Sequence, residues 1–484
     1  MVMYIETMIV PGLTGFEAFF GNASLTSVTW ILTAYLVVGV VATPITGKLG
    51  DIYGKKRVLV ILLAIYFVAV SIAGFTPDIG AAAAVSRPDQ LYLLIAARAL
   101  QGVGVGTFPL AYALIADEFS PQRVAQARSI VAAMFALGAA AGLVGGAWVT
   151  EEFGWQATYH TMIPVSGAIL ALSAALLPQS RVFLREKLDI PGAVTIGLML
   201  AFFLLALTEG PDLGWWKWHG YPLGGIPFGV PELFALAIVF LIAFVAIELR
   251  SAQPIVAFST LVQRNILLVN TVGLCAGVAM FLGYVGLVAR TEVPFPFGLG
   301  KTYVDFGLYV IPAIIVLIVV TPLAGRALPN HEKPMMLIGG TLIVLGGTLM
   351  AAFNSTVQDI IIGPIPALTG IVMIYISMTH IVILASKPEM RGIATGMNQT
   401  FRNIGTSIGP AVGSTIIASL VTAFKVAVPG SNVVETFRGP SQVAFQVTFA
   451  LVAVLGLVCV ILSSLIVNVR RDTYAPDTVG NQDG

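Results

Sequence analysis

Apolar residues along this chain gather into long runs bounded by charges or by Pro/Gly clusters, and the polar residues are confined to the short gaps between them. Fourteen runs stand out, near residues 1–20, 26–46, 58–75, 90–115, 126–149, 158–177, 190–208, 231–249, 265–288, 303–324, 335–353, 358–385, 395–423 and 442–468. Each is close to the roughly 20 residues with which an α-helix crosses the hydrocarbon core of a bilayer. Inside lipid a segment must satisfy its own backbone N–H and C=O groups, so each run is expected to be helical. The pattern predicts an all-α polytopic membrane protein with 14 transmembrane helices.

Cations orient the prediction. An even number of crossings puts both ends of the chain on one side. Of the 25 Lys and Arg residues, 18 lie on the side of residues 47–57 or near the C-terminal end, six lie opposite, and Arg98 lies within a run. Lys and Arg beside membrane helices are retained in the cytoplasm, so both termini are expected there, in the cell membrane. The chain opens on apolar sequence that reads as the first crossing rather than as a cleaved leader. Residues 209–230, with Trp215, Trp216 and Trp218, read as an outer loop anchored at the interface by aromatics, and Arg471 to Gly484 as a disordered cytoplasmic tail.

Composition removes alternatives. Hydrophobic residues make up 57% of the chain and charged residues 10%, with a mean hydropathy of +0.93. Soluble domains carry about 25% charged residues. The net charge of +1 marks no basic face for nucleic acid. Cys275 and Cys459 both fall inside apolar runs, and the four histidines, at 160, 219, 331 and 380, share no ligand spacing, so neither a disulfide framework nor a metal or other cofactor is expected. The runs hold no nucleophile paired with a base, which argues against an intramembrane enzyme, and no gap is long enough for a soluble signalling segment. The lipid bilayer is an expected partner.

Two segments carry candidate chemistry. The first is Gly47-Lys48-Leu49-Gly50-Asp51-Ile52-Tyr53-Gly54-Lys55-Lys56-Arg57, expected as a short basic hairpin at the cytoplasmic face whose glycines permit a tight turn. The second is Arg98-Ala99-Leu100-Gln101-Gly102-Val103-Gly104-Val105-Gly106, in which Arg98 and Gln101 share one helical face. A cation inside the bilayer costs about 3 kcal/mol on insertion scales and should face the interior with a partner. It either pins helices by bonding backbone carbonyls or takes part in coupling. Gly138, Gly142, Gly145 and Gly146 form a small-residue face on which helices can pack closely. His380, Asn398 and Arg402 are candidates to line a cavity together with Gln101, while Arg290 and Asp305 are expected to form an ion pair near the outer surface.

The order Gly-x-Leu-x-Asp-x-x-Gly followed by basic residues, at 47–57, resembles the loop between helices 2 and 3 of the major facilitator superfamily. Arg98-x-x-Gln101-Gly102-x-Gly104 is similar to the fourth-helix pattern of its proton-driven members. Ala116 to Arg123, Gly154-Trp155 with Tyr159 and Pro164, Leu188 to Gly192, and Gly392 to Gly413 with Met397-Asn398-Gln399-Thr400-Phe401-Arg402-Asn403-Ile404-Gly405 resemble the fourteen-helix drug/proton antiporter branch. The resemblance implies two pseudo-symmetric six-helix bundles, at 1–180 and 256–470, with two extra helices between them at 181–255 and the tail at 471–484. They would rock about a central cavity. It implies a conformational gate at Gly47, Asp51, Gly54, Lys55, Lys56 and Arg57, in which Asp51 caps the end of the thirteenth helix near Gly392 to Gly396 and favours the outward-open state. It implies proton coupling through Arg98 and through Glu6, which takes the acidic position of the first helix. Pro322 to Arg326 with His331-Glu332-Lys333 stands in the second half where 44–57 stands in the first, as a degraded copy.

Two departures leave the direction of transport open. The antiporters carry Gly-Pro-x-x-Gly-Gly in helix 5, whereas Ala141-Gly142-Leu143-Val144-Gly145-Gly146 has no proline. In the first helix Glu6-Thr7-Met8-Ile9-Val10-Pro11-Gly12-Leu13 replaces the usual Asp and Asn. A carboxyl in an apolar span is suited to carry a proton, whereas at the cytoplasmic rim it would be solvated and idle. The resemblance implies a monomer whose partners are a small-molecule substrate and protons. The function it implies is proton-coupled efflux of amphipathic drug-like or toxic compounds, with apolar or amphipathic cations and neutral solutes as the fitting cargo. A facilitator or proton symporter of a small metabolite is the alternative, and a receptor or intramembrane enzyme the remoter one.

Overall fold

The computed structural model describes residues 2–9, 13–21, 23, 25–118, 134, 138, 141–142, 144–178, 189–216, 218, 221–223, 226–251, 254–256, 258–328, 331–386, 391–427 and 434–467. In the first half these form α1 (Val2–Met8), α2 (Leu13–Phe19), α3 (Leu25–Tyr53), α4 (Lys55–Gly74), α5 (Thr76–Ala82), α6 (Arg87–Gly102), α7 (Thr107–Glu118), α8 (144–153) and α9 (Trp155–Leu176). Then come α10 (Ile190–Leu213) and α11 (Val230–Glu248). The second half holds α12 (Phe258–Leu261), α13 (Arg264–Glu292), α14 (Tyr303–Ala327), α15 (Glu332–Ala352), α16 (Val357–Ile362), α17 (Pro364–Ala385), α18 (Arg391–Ser419) and α19 (Gln442–Ser464). Among the described residues, ten helical segments are long and apolar enough to cross a membrane.

Several boundaries differ from the sequence pattern, each for a local reason. The expected hairpin at 47–57 is not a loop. Helix α3 continues through Tyr53, α4 begins at Lys55, and the reversal is confined to Gly54, whose φ of 96° lies in the left-handed region that glycine adopts without penalty. The fourth run is three pieces. Between α6 and α7 the chain tightens into a 3-10 turn over Val103–Gly106, where glycines let two backbones nearly touch: a Cβ at Gly102 would lie 3.2 Å from the Gly39 nitrogen of α3. At the end opposite Gly54, termed the outer end as the Gly54 end is termed the inner, short hairpins appear that apolar spacing did not announce. Tyr221–Leu223 (β1) pairs with Ile226–Phe228 (β2), and Val421–Ala427 (β3) pairs with Val434–Pro440 (β4), both antiparallel. Thus α18 ends at Ser419, short of the expected 423.

Without a hydrophobic drive between helices in lipid, close packing and interhelical hydrogen bonds hold them together, and small residues set how near they come. Helix α15 lies between α17 and α19. Gly339 and Gly370 face each other so closely that a Cβ at Gly339 would sit 2.7 Å from the Gly370 oxygen, and one at Gly347 would sit 2.8 Å from the Ala453 Cα. The α13–α18 contact is of the same kind, with Gly277 against the Arg402 oxygen at 2.6 Å and Gly409 against the Val278 oxygen at 2.8 Å by the same measure. On the inner side Lys333 caps the end of α19, its Nζ donating to the Ser464 oxygen at 2.8 Å and the Ile466 oxygen at 2.7 Å. This gives the cation of the degraded repeat a structural partner.

The halves meet along α3 and α18, and α10 packs on both. Apolar residues from α3, α10 and α18 share one buried cluster that includes Val37, Val40, Ile196, Leu200, Met397 and Ala411. Thr415 Oγ1 of α18 donates to the Leu207 oxygen of α10 at 2.8 Å. One inserted helix therefore braces the seam between the halves. At the inner end of the α10–α11 pair, Asp189 caps α10 through the Gly192 amide at 2.8 Å, and the buried Glu248 accepts from the amides of Ile255 and Val256, both at 3.2 Å.

Candidate functional site

Arg98 is fully buried in α6. Its Nε donates to the Ile31 oxygen of α3 at 3.0 Å, its Nη1 donates to Gln101 Oε1 at 2.7 Å, and its guanidinium lies 4.5 Å above the Tyr35 ring centroid. The shared face of Arg98 and Gln101 thus becomes a direct bond, and the cation ties α6 to α3. Arg98 Nη2 and Gln101 Nε2 stay buried with no hydrogen-bond partner among the described residues. Two donors are therefore free to receive an acceptor at the centre of the first half.

The first helix and the glycine face of the expected fifth crossing, at Gly142 and Gly146, are in contact. A Cβ at Gly142 would lie 3.0 Å from the Tyr4 Cα, and one at Gly146 would lie 2.8 Å from the Met8 Cα, so these glycines let α1 and the fifth crossing approach backbone to backbone. Gly145 has only Tyr4 at the edge of reach, 4.0 Å away, and Gly138 is helical. Glu6 lies in α1, but its side chain is outside the described residues, as is that of Asp51 in the last turn of α3. Residues 10–12, with Pro11 and Gly12 of that same segment, are outside them too.

Around the inner turn, Lys55 is buried at the start of α4, Lys56 is half-buried and Arg57 is exposed. Gly54 is buried, and among the described residues nothing lies within 4 Å of where a Cβ of Gly47 would stand. Gly396 of α18 is equally open. A cavity of about 480 Å³ lies between α3 and α4, lined by Val41, Ile45, Leu49, Ile61 and Ile65, with Tyr53 and Arg57 at its inner end; it belongs to the first half and not to the seam.

The polar candidates of the second half fall into two layers. Asn398 of α18 donates through Nδ2 to Asn270 Oδ1 of α13 at 2.9 Å, both buried. One turn further out, the Arg402 guanidinium lies 4.9 Å over the Tyr375 ring of α17. Arg402 sits well inside α18 and is not an inner-face loop cation, which corrects its place in the orientation count. On the same helix Gln399 Nε2 donates to Asn403 Oδ1 at 2.8 Å, and Asn403 Nδ2 reaches Thr43 Oγ1 of α3 at 3.4 Å, across the seam. His380 stands apart, near the inner end of α17, with its Nδ1 3.0 Å from Glu332 Oε1. The contact lacks hydrogen-bond alignment, so it is an ion pair only when the imidazole is protonated.

At the outer end the halves are joined again. Val304 N, at the start of α14, donates to Glu151 Oε2 of α8 at 3.1 Å, and Gly15 of α2 lies against the Tyr303 hydroxyl. The expected Arg290–Asp305 pair does not form. Arg290 instead donates to the Asn354 oxygen at 2.7 Å and the Phe297 oxygen at 2.9 Å, while Asp305 closes the capping box of α14 with Thr302. A buried guanidinium with carbonyls in reach meets its hydrogen-bonding needs without a carboxylate.

The Major Facilitator Superfamily profile matches residues 1–410. The chain belongs to this superfamily. It is a multi-pass membrane transporter and not an enzyme. Among curated superfamily members, the multidrug transporter protein MdtP of Bacillus subtilis (strain 168) is 27% identical over 394 residues, covering 80% of this chain and 67% of MdtP. The probable actinorhodin transporter of Streptomyces coelicolor is 27% identical over 414 residues, covering 83% of this chain and 67% of its own. In fold, the chain is similar to the xylose transporter XylE from E. coli in a partially occluded inward-open conformation, with a TM-score of 0.62 at 13% identity over 96% of this chain and 94% of that one.

Spacing along the sequence did not point to Asn270, Tyr375, Glu332, Glu151 or Thr43, because each gains its meaning from a partner on another helix. Asn270 was the most findable, as an amide side chain in the middle of an apolar run.

Proposed function

We propose that this superfamily member is a proton-coupled exporter of amphipathic drug-like compounds, of the fourteen-helix antiporter type, in the cell membrane with both termini cytoplasmic. Two six-helix bundles, 1–180 and 256–470, rock against each other while α10, the first of the two helices of 181–255, braces the seam and α11 packs on it. The observation that supports this reading is the seam itself: the halves are bonded at the outer end through Glu151 and Val304, whereas at the inner end, among the described residues, nothing lies within 4 Å of a Cβ built at Gly47 or Gly396. In this reading the transporter faces inward, ready to load from the cytoplasm. The names of these relatives, a multidrug transporter protein and a probable actinorhodin transporter, support drug-like cargo.

In this reading Asp51 latches the inner end in the opposite state, and release of that latch matches the open glycines. Glu6 carries the proton, and Arg98, with two donors to spare, answers its charge. A facilitator or symporter of a small metabolite remains the second reading, favoured by the proline-free 141–146 segment. Flux in proteoliposomes under an imposed pH gradient separates the two. Gradient-driven movement lost in Glu6→Gln is the expected result; equal, gradient-independent movement in both proteins would establish the facilitator.

A further inference from the structure

We infer that Arg402, held over the Tyr375 ring near mid-membrane, is an anchor for an anionic group, and that the cargo includes amphipathic organic anions, a carboxylate on an apolar body. This deepens the transport reading and rests on it. It also departs from the expected preference for cations and neutral solutes, because Arg402 is a mid-membrane guanidinium that has neither a carboxylate nor a hydrogen-bond partner among the described residues.

The argument begins with depth. Arg402 is 11 residues beyond Arg391 at the inner end of α18, and Tyr375 is 10 residues before Ala385 at the inner end of α17. At roughly 1.5 Å per residue both lie about 15 Å from the inner face, half-way through the hydrocarbon core. A guanidinium there is costly unless it is paired or faces a wet cavity.

Comparison with Arg98 shows what is missing. Arg98, at similar depth in the first half, is completely buried, bonded to a carbonyl and a side-chain amide, and stacked on Tyr35. Arg402 shares only the stacking. It is half-buried, and among the described residues no carboxylate pairs with it and its guanidinium makes no hydrogen bond. The other ionisable groups named on these helices, His380 and Glu332, lie 3.0 Å from each other near the inner end of α17. Five N–H donors in a fixed fork, backed by an aromatic face and open on one side, are the geometry that receives a carboxylate through two parallel hydrogen bonds. The polar stripe of Gln399 and Asn403 continues from this point to Thr43 across the seam, so the anchor stands beside the surface where the bundles part. Tyr375 contributes a ring beside which the apolar body of the ligand can pack.

The test uses the full chain in liposomes and four probes: 1-naphthoate, the neutral 1-naphthamide, the cation 1-naphthylmethylammonium and octanoate. A charge-assisted bond gained by the anion alone corresponds to a preference of about tenfold or more for naphthoate over naphthamide in protein-dependent flux. Arg402→Gln is expected to bring that ratio near one, and Arg402→Lys to keep part of it. If Arg402→Gln does not fold, Arg402→Lys and Tyr375→Leu carry the test, the first retaining the preference and the second lowering it. Preference for either carboxylate supports the anchor, and the naphthoate-to-octanoate ratio tells an aromatic solute from a fatty acid. A preference for the cation, or an anion preference that survives in folded Arg402→Gln, overturns the inference while leaving transport intact. Movement of no probe at all would instead overturn the transport reading.

Discussion

Replacing Glu151 by Gln should loosen the outer end of the seam. The carboxylate accepts from Val304 N at 3.1 Å, at the first turn of α14, where backbone N–H groups and the helix dipole favour a negative charge. The contact is solvent-exposed, so the charge contributes no more than about 1 kcal/mol. Glutamine retains an acceptor oxygen and loses the charge. A shift of about 1 kcal/mol changes the ratio of outward-closed to outward-open molecules about fivefold. Spin labels on cysteines introduced at Ala83 and Ser355, exposed positions at the outer ends of the two halves, read this directly, since Cys275 and Cys459 are buried. The longer distance should gain population in Glu151→Gln in lipid. A distribution identical to that of the parent would refute the claim that this contact holds the outer end shut.

Three further outcomes are expected. Gly146→Val forces a side chain into the Met8 backbone and should cost about 1–3 kcal/mol, seen as earlier thermal unfolding in detergent; an unchanged transition would mean that α1 and the fifth crossing are not packed as described. Arg98→Lys keeps the charge but cannot make both the Ile31 and the Gln101 bonds in the same fork, and a loss of about 1–3 kcal/mol is expected in the same measurement. Asp51→Asn should impair flux while insertion and expression stay normal, and full flux in that variant would remove Asp51 from the gate.

What the sequence made legible is what one segment decides alone. A run of apolar residues must become a helix in lipid because no other local structure meets its backbone hydrogen bonds, and the helices α4, α9, α13 and α19 lie where their runs placed them. Arg98 and Gln101 were legible as partners because three residues along a helix fix a common face. Pairings between helices were not. Nothing in the spacing says that Asn270 meets Asn398, that Asn403 reaches Thr43, or that Arg290 prefers the carbonyls of Asn354 and Phe297 to Asp305. Those outcomes depend on how each helix is rotated and how closely its glycines let neighbours come. The turn at Gly54 shows the same limit on a small scale, since one glycine in the left-handed region did what eleven residues were expected to do.

The central claim is that the two halves must part at the outer end for cargo to cross. Its most direct measurement is flux in proteoliposomes with the seam tied there, by a short reducible bis-thiosulfonate bridging cysteines placed at Gly15 and Tyr303, which face each other across the halves. Flux should stop on cross-linking and return on reduction. Flux that continues undiminished through a fully cross-linked population would contradict the account.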